Sequence, residues 1–165
     1  MHPGRLSMKR DTIDLTQVQL RELDRKLQTE MLVQPPLLRW CIVHSDRDRE
    51  VLGTLEREFQ QAASQYRYHI EPPKKFPVRG SRFEDWSSTL ECLAGQSVDM
   101  VVLLLPGRQK KGQHYDELKK LLNEMTNIPS QVVLVETIRR GKNIKSIVSK
   151  ILVQMCAKVG GCPWS

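Results

Sequence analysis

One stretch limits the possible folds more than any other. Residues 98–107 read VDMVVLLLPG, an apolar run that ends abruptly at Pro106 and Gly107. A half-buried strand would alternate apolar and polar residues. A run without alternation, closed by a turn pair, predicts a strand covered on both faces and feeding a loop. Helices must then supply both covers, because a second sheet would leave no connection long enough to return the chain in parallel.

The neighbouring segments supply such helices. LLRWCIV (37–43) is a short apolar strand, followed by Ser45 and Asp46 as caps for DREVLGTLEREFQQAAS, whose apolar residues recur at three and four. YRYHI (66–70) alternates like a second strand, PPKKFPVRGSR reads as a basic, proline-rich loop, and FEDWSSTLECLAG reads as a helix stopping at Gly95. After the central run come the helix HYDELKKLLNEM, the strand PSQVVLVET and the helix KNIKSIVSKILVQMCAK. Alternation of this kind predicts an α/β, Rossmann-like domain: a four-stranded, mainly parallel sheet with helices on both faces. Ligands of such sheets sit at the carboxyl ends of the strands, so the site is expected at that edge. The domain is expected over 37–165. Residues 1–36, with Leu20, Leu23, Leu27 and Met31 at helical spacing before Pro35 and Pro36, are expected as a linker helix or N-terminal extension.

Charge separates the two halves. Residues 1–105 hold 15 Lys/Arg and 15 Asp/Glu, whereas 106–165 hold 11 against 4, so the net charge of +7 belongs to the last sixty positions. A polyanion is the natural partner of that half. No apolar segment is long enough to span a bilayer, the N-terminus lacks a signal-like core, and the four cysteines follow no framework spacing. The expected setting is intracellular, cytoplasmic or nuclear, with no membrane partner and a monomeric chain.

Several chemistries lack their residues. There is no GxGxxG after the first strand and no GxxxxGK followed by Ser or Thr, so the common nucleotide-phosphate loops are absent. His2, His44, His69 and His114 are scattered, which leaves no zinc spacing. Asp46 and Asp48 could begin an acidic metal cluster, but the end of the central strand offers Leu105 and Pro106 rather than a carboxylate. His44, after a strand end, could be catalytic, but no nucleophile with an adjacent base stands out, so no catalytic constellation is complete.

Polar groups do recur on three C-terminal segments. Tyr115 and Lys119 are four apart at the start of a helix, Lys150, Gln154 and Lys158 make an i, i+4, i+8 stripe opposite Ile147, Val148, Ile151, Leu152 and Met155, and Gln131 follows Pro129 and Ser130. Such a set could hold a phosphate. Pro106-Gly107, Tyr115 with Lys119, Gln131 in PSQ twelve beyond Lys119, and Gln154 with Lys158 in QMCAKVGG before Pro163-Trp164 resemble the MID domain of an Argonaute-family protein, of the PIWI clade rather than the AGO clade.

The resemblance implies a pocket for the 5′-monophosphate of a small, piRNA-like guide RNA, with Tyr115, Lys119, Gln131, Gln154 and Lys158 around the phosphate. It implies that the loop Pro106, Gly107, Arg108, Gln109, Lys110, Lys111 and His114 meets the first base, and that Tyr115 stacks on it. It implies no catalysis by this region, since the RNase H-like residues belong to a following PIWI domain of the parent chain, a partner that this sequence is expected to lack. No cofactor is required and no side chain here ligates a metal. For the full-length protein the resemblance implies a magnesium ion, Mg2+, bridging guide phosphates and the C-terminal carboxylate. The readings set against this one are a phosphate-handling α/β enzyme and a basic protein-interaction domain.

Overall fold

A computed structural model of the chain describes residues 5–7, 12–14, 38–106 and 113–160. The first two segments are short strands, β1 (Arg5–Ser7) and β2 (Thr12–Asp14), paired antiparallel. Neither was expected in a segment read as polar extension. The helix expected around Leu20–Met31 lies outside the described residues, as does the loop 107–112.

The remaining elements are β3 (Trp40–Ser45), a 3-10 turn (Asp46–Val51), α1 (Leu52–Gln65), β4 (Lys74–Val78), α2 (Phe83–Glu91), β5 (Met100–Leu105), α3 (Gln113–Thr126), β6 (Ser130–Leu134), α4 (Val135–Arg140) and α5 (Ile144–Lys158). The sheet is parallel throughout, in the order β4-β3-β5-β6. The fold is the expected α/β, Rossmann-like one.

The central run explains itself once both layers are in place. All six residues of β5 are buried. Met100, Val102 and Leu104 belong to one core, with Leu55 and Phe59 of α1 and Val148, Leu152 and Met155 of α5. Val101, Leu103 and Leu105 belong to the other, with Trp86 and Leu90 of α2 and Leu118 and Leu122 of α3. Successive side chains of a strand point to opposite faces, so a strand with two covered faces has no polar position to offer. Complete burial of each large side chain contributes about 1.5–3 kcal/mol.

Two local expectations are corrected. The second strand is β4, in the segment read as a loop, and YRYHI contributes only an isolated parallel bridge between Ile70 and Leu38. Tyr66, Tyr68 and Ile70 are buried, which gives the alternation of a strand, but the backbone here closes α1: Arg67 N donates to Ser64 O and Tyr68 N to Ala63 O, with Arg67 at φ 54°. Pro77 is tolerated in β4 because this is an edge strand, where a missing N–H need not face a partner. The fourth strand ends at Leu134, and residues 135–137, read as its continuation, belong to α4, closed by Gly141 at φ 63°. Ser45 Oγ accepts from Arg47 N at 3.3 Å as the expected cap, but it opens the 3-10 turn and α1 begins only at Leu52, without a side-chain cap, whereas α2 stops at Glu91, short of Gly95.

Candidate functional site

α5 returns across the sheet antiparallel to β6, so its last residue, Lys158, arrives at the amino end of that strand. There Lys158 Nζ donates to Ser130 O and to Gln131 Oε1, both at 2.7 Å. Gln131 is only the second residue of β6 and lies opposite Val102 of β5. The expectation of a site at the carboxyl edge is therefore corrected. A helix that packs back over the sheet after a strand carries its C-terminal residues to the amino edge, and both Lys158 and the beginning of β6 are there.

Burial, and secondly the charge of Lys119, hold the Lys158 ammonium below the ordinary lysine range. Lys119 lies in the middle of α3 and is half-buried. Three residues singled out in the sequence, Lys119, Gln131 and Lys158, thus converge from three segments. Gln154 is exposed one turn before Lys158, on the stripe that also carries exposed Lys150. Tyr115 lies on α3 one turn before Lys119, but its side chain, with that of His114, is outside the described residues, as are Gly107, Arg108, Gln109, Lys110 and Lys111. Pro106 is exposed at the carboxyl end of β5.

Lys158 borders a cleft of about 450 Å³ with Leu38, Val98, Asp99, Ile128 and Pro129. Sequence reasoning passed over the pair that frames it. Arg39 Nε and Nη2 donate to the two oxygens of Asp99 at 3.1 and 2.9 Å, and Arg39 Nη1 to Ser97 Oγ at 2.7 Å. These contacts tie the entries to β3 and β5, and the Arg39 guanidinium holds the Asp99 carboxyl below its usual range. The signal in the sequence was only a charge of each sign directly before two strands.

At the opposite edge, Asp48 and Glu50 of the 3-10 turn and Glu136 of α4 surround Arg139, with Asp48 Oδ1 accepting at 2.9 Å. Asp46 pairs with Arg49 at 2.6 Å. Both candidate acidic ligands are thus engaged by arginine, and no group of three His, Cys, Asp or Glu suited to a metal occurs among the described residues. His44 is buried, with Nδ1 2.9 Å from Ser45 O. A carbonyl only accepts, so this contact needs the proton on Nδ1. Burial pushes the thiols of Cys41 and Cys156 up to about 12, which keeps them protonated and poor nucleophiles at neutral pH. No helix of the described residues is long and apolar enough to cross a membrane.

Comparison with known proteins agrees with this fold. The Piwi domain family model matches residues 100–165. That stretch begins at β5 and so takes two strands of a sheet whose other two precede it. The Arabidopsis thaliana AGO5 MID domain superposes with a TM-score of 0.65 at 17% identity, covering 82% of this chain and 97% of that one. The fold is thus that of the MID domain of an Argonaute protein. Drosophila Piwi superposes with a TM-score of 0.87 over 99% of this chain and 23% of its own, at 22% identity. Protein argonaute-3 of Drosophila melanogaster is 29% identical over 136 residues, 82% of this chain. This chain matches a region of Argonaute/Piwi-clade proteins, with the fold of the MID domain, and it spans 16% of the length of that fly relative.

Proposed function

We propose that this region binds the 5′-monophosphate and first nucleotide of a small, piRNA-like guide RNA, as the MID module of a Piwi-clade protein acting in RNA-guided silencing. The observation that carries the proposal is the convergence of Lys158, Gln131 and Lys119. Two ammonium groups near enough for one to lower the pKa of the other form a site that a dianionic phosphate relieves. Gln131 and Gln154 add amide donors that fix orientation without adding charge.

The dimensions suit a nucleotide. Pro106 is four residues beyond Val102, the partner of Gln131, which is roughly 13 Å along the strand. Tyr115 is one helical turn, about 6 Å, before Lys119 on the side toward the loop. A phosphate at Lys158 and Gln131 would leave its base directed along α3 toward Tyr115 and the loop after Pro106. Magnesium does not suit the side chains described here, because two lysines repel a cation and the Gln131 amide oxygen faces Lys158. An Mg2+ ion would have to be held by guide phosphates and by groups elsewhere in the parent chain.

The test is a titration with RNAs that differ only in a 5′-phosphate or 5′-hydroxyl. The wild type prefers the phosphate, and Lys119→Ala loses about 1–3 kcal/mol of that preference. Equal affinity for the two RNAs, with binding that merely weakens in salt, would leave a general basic surface in place of a guide pocket.

A further inference from the structure

The segment from Arg139 to Lys150 contains five basic residues and no acidic one. Only the first is neutralised by the fold: Arg139 takes Asp48, Glu50 and Glu136. Arg140 and Lys142, exposed on either side of Gly141, have no hydrogen bond or ion pair among the described residues. They do not simply project into solvent. With Thr137 and Ile147 they line a cleft of about 600 Å³ between α4 and α5, a volume within the range of ligand sites.

The lining narrows the chemistry. Two cations and a hydroxyl recognise an anion, and Ile147 offers an aliphatic wall. Among the described residues no aromatic ring lines the cleft to stack on a nucleobase. The adjacent arginine supplies an internal template, since Arg139 is bound by two carboxylates placed two residues apart in one turn of chain, Asp48 and Glu50. The geometry points to a second binding site in this cleft, for an acidic peptide segment of a protein partner, with carboxylates on Arg140 and Lys142 and an aliphatic side chain against Ile147. Ile147 precedes Lys158 by eleven helical residues, roughly 16 Å, so the site is separate from the proposed phosphate pocket and does not depend on it.

The experiment uses the 165-residue chain and three probes: a fluorescein-labelled hexapeptide of alternating glutamate and leucine, its glutamine–leucine counterpart, and a 5′-hydroxyl oligouridine. The glutamate peptide binds roughly tenfold or more tightly than the glutamine peptide, and Arg140→Glu/Lys142→Glu abolishes that difference. Arg140→Gln/Lys142→Gln, which introduces no repulsion, reduces it severalfold. Both double variants keep the wild-type ratio of 5′-phosphate to 5′-hydroxyl RNA affinity. The proposal is overturned if the two peptides bind alike, if both variants retain the glutamate preference, or if oligouridine displaces the peptide and loses affinity in parallel with it. The last result would assign the cleft to an RNA backbone. Loss of 5′-phosphate preference in the wild type, with peptide binding intact, would remove the guide-binding function and leave this site standing.

Discussion

Replacing Lys158 by alanine separates the two things its ammonium does. In the free protein it donates to Ser130 O and Gln131 Oε1, both at 2.7 Å. Water can replace it at both oxygens, since the residue is exposed, and its removal also ends the repulsion from Lys119. The change in folding stability is therefore within about 1 kcal/mol. A bound phosphate receives a charge-assisted hydrogen bond from the same group, and its loss costs about 1.5–3 kcal/mol, or roughly 10- to 150-fold in affinity. Fluorescence polarisation with 5′-phosphate and 5′-hydroxyl RNAs, alongside urea unfolding, reads the two effects separately. The pH dependence adds a second check. Phosphate affinity falls as pH rises through the lowered pKa of Lys158, sooner than an ordinary lysine would allow, and the 5′-hydroxyl RNA lacks this limb. Lys119→Ala removes one cause of the lowering, so in that variant the limb moves to higher pH. An equal loss for both RNAs, or an alkaline limb that Lys119→Ala leaves in place, would refute the proposed coupling of these lysines around a phosphate.

Arg139→Ala leaves the buried Asp48 carboxylate without its cation and should cost about 1–3 kcal/mol, read as a lowered urea midpoint; a change below a few tenths would mean that water already serves Asp48. Asp99 has a depressed folded pKa, so its contribution is present above the unfolded value near 4 and is lost as pH falls through the folded one. Asp99→Asn should abolish that part of the acid-unfolding curve. Phe59→Ala, fully buried with its ring 4.9 Å from that of Trp40, should cost about 3–5 kcal/mol and alter the tryptophan emission, and a small effect would mean the core collapses around the vacancy.

The architecture was legible where one physical rule acted alone. β5 could be read from its run of apolar residues because nothing but double coverage produces that pattern, and α5 from an apolar stripe whose counterpart, Lys150, Gln154 and Lys158, is indeed exposed. Reading failed where two rules compete in one segment. In YRYHI the period of two comes from residues packing beneath the end of α1, and only the left-handed Arg67 shows that no strand can form there. In KKFPV a proline argues against a strand unless the strand is known to be at the edge, which is a property of the sheet and absent from the segment. Gln131 and Lys158, singled out in the sequence, do come together, but at the amino edge of the sheet and not the expected carboxyl one. The rule for ligands at carboxyl ends concerns loops that follow strands, whereas Lys158 comes from the far end of a returning helix.

That displacement has a consequence for charge. Part of the basic excess of residues 106–165 is laid along α4, the following turn and α5, with Arg140 and Lys142 at one edge of the sheet and Lys158 at the other. The intervening stripe has outward-facing polar groups while its reverse packs on α1 and the sheet. The α4–α5 segment therefore carries cations to both edges, while Asp48, Glu50 and Asp99 are engaged by Arg139 and Arg39. Charge reversal at either end should weaken binding there and leave the other end unchanged, because about 16 Å of helix exceeds the roughly 8 Å screening length of physiological salt. At low ionic strength, where that length approaches about 30 Å, the two ends should become coupled, and reversal of Arg140 and Lys142 should begin to lower phosphate affinity at Lys158.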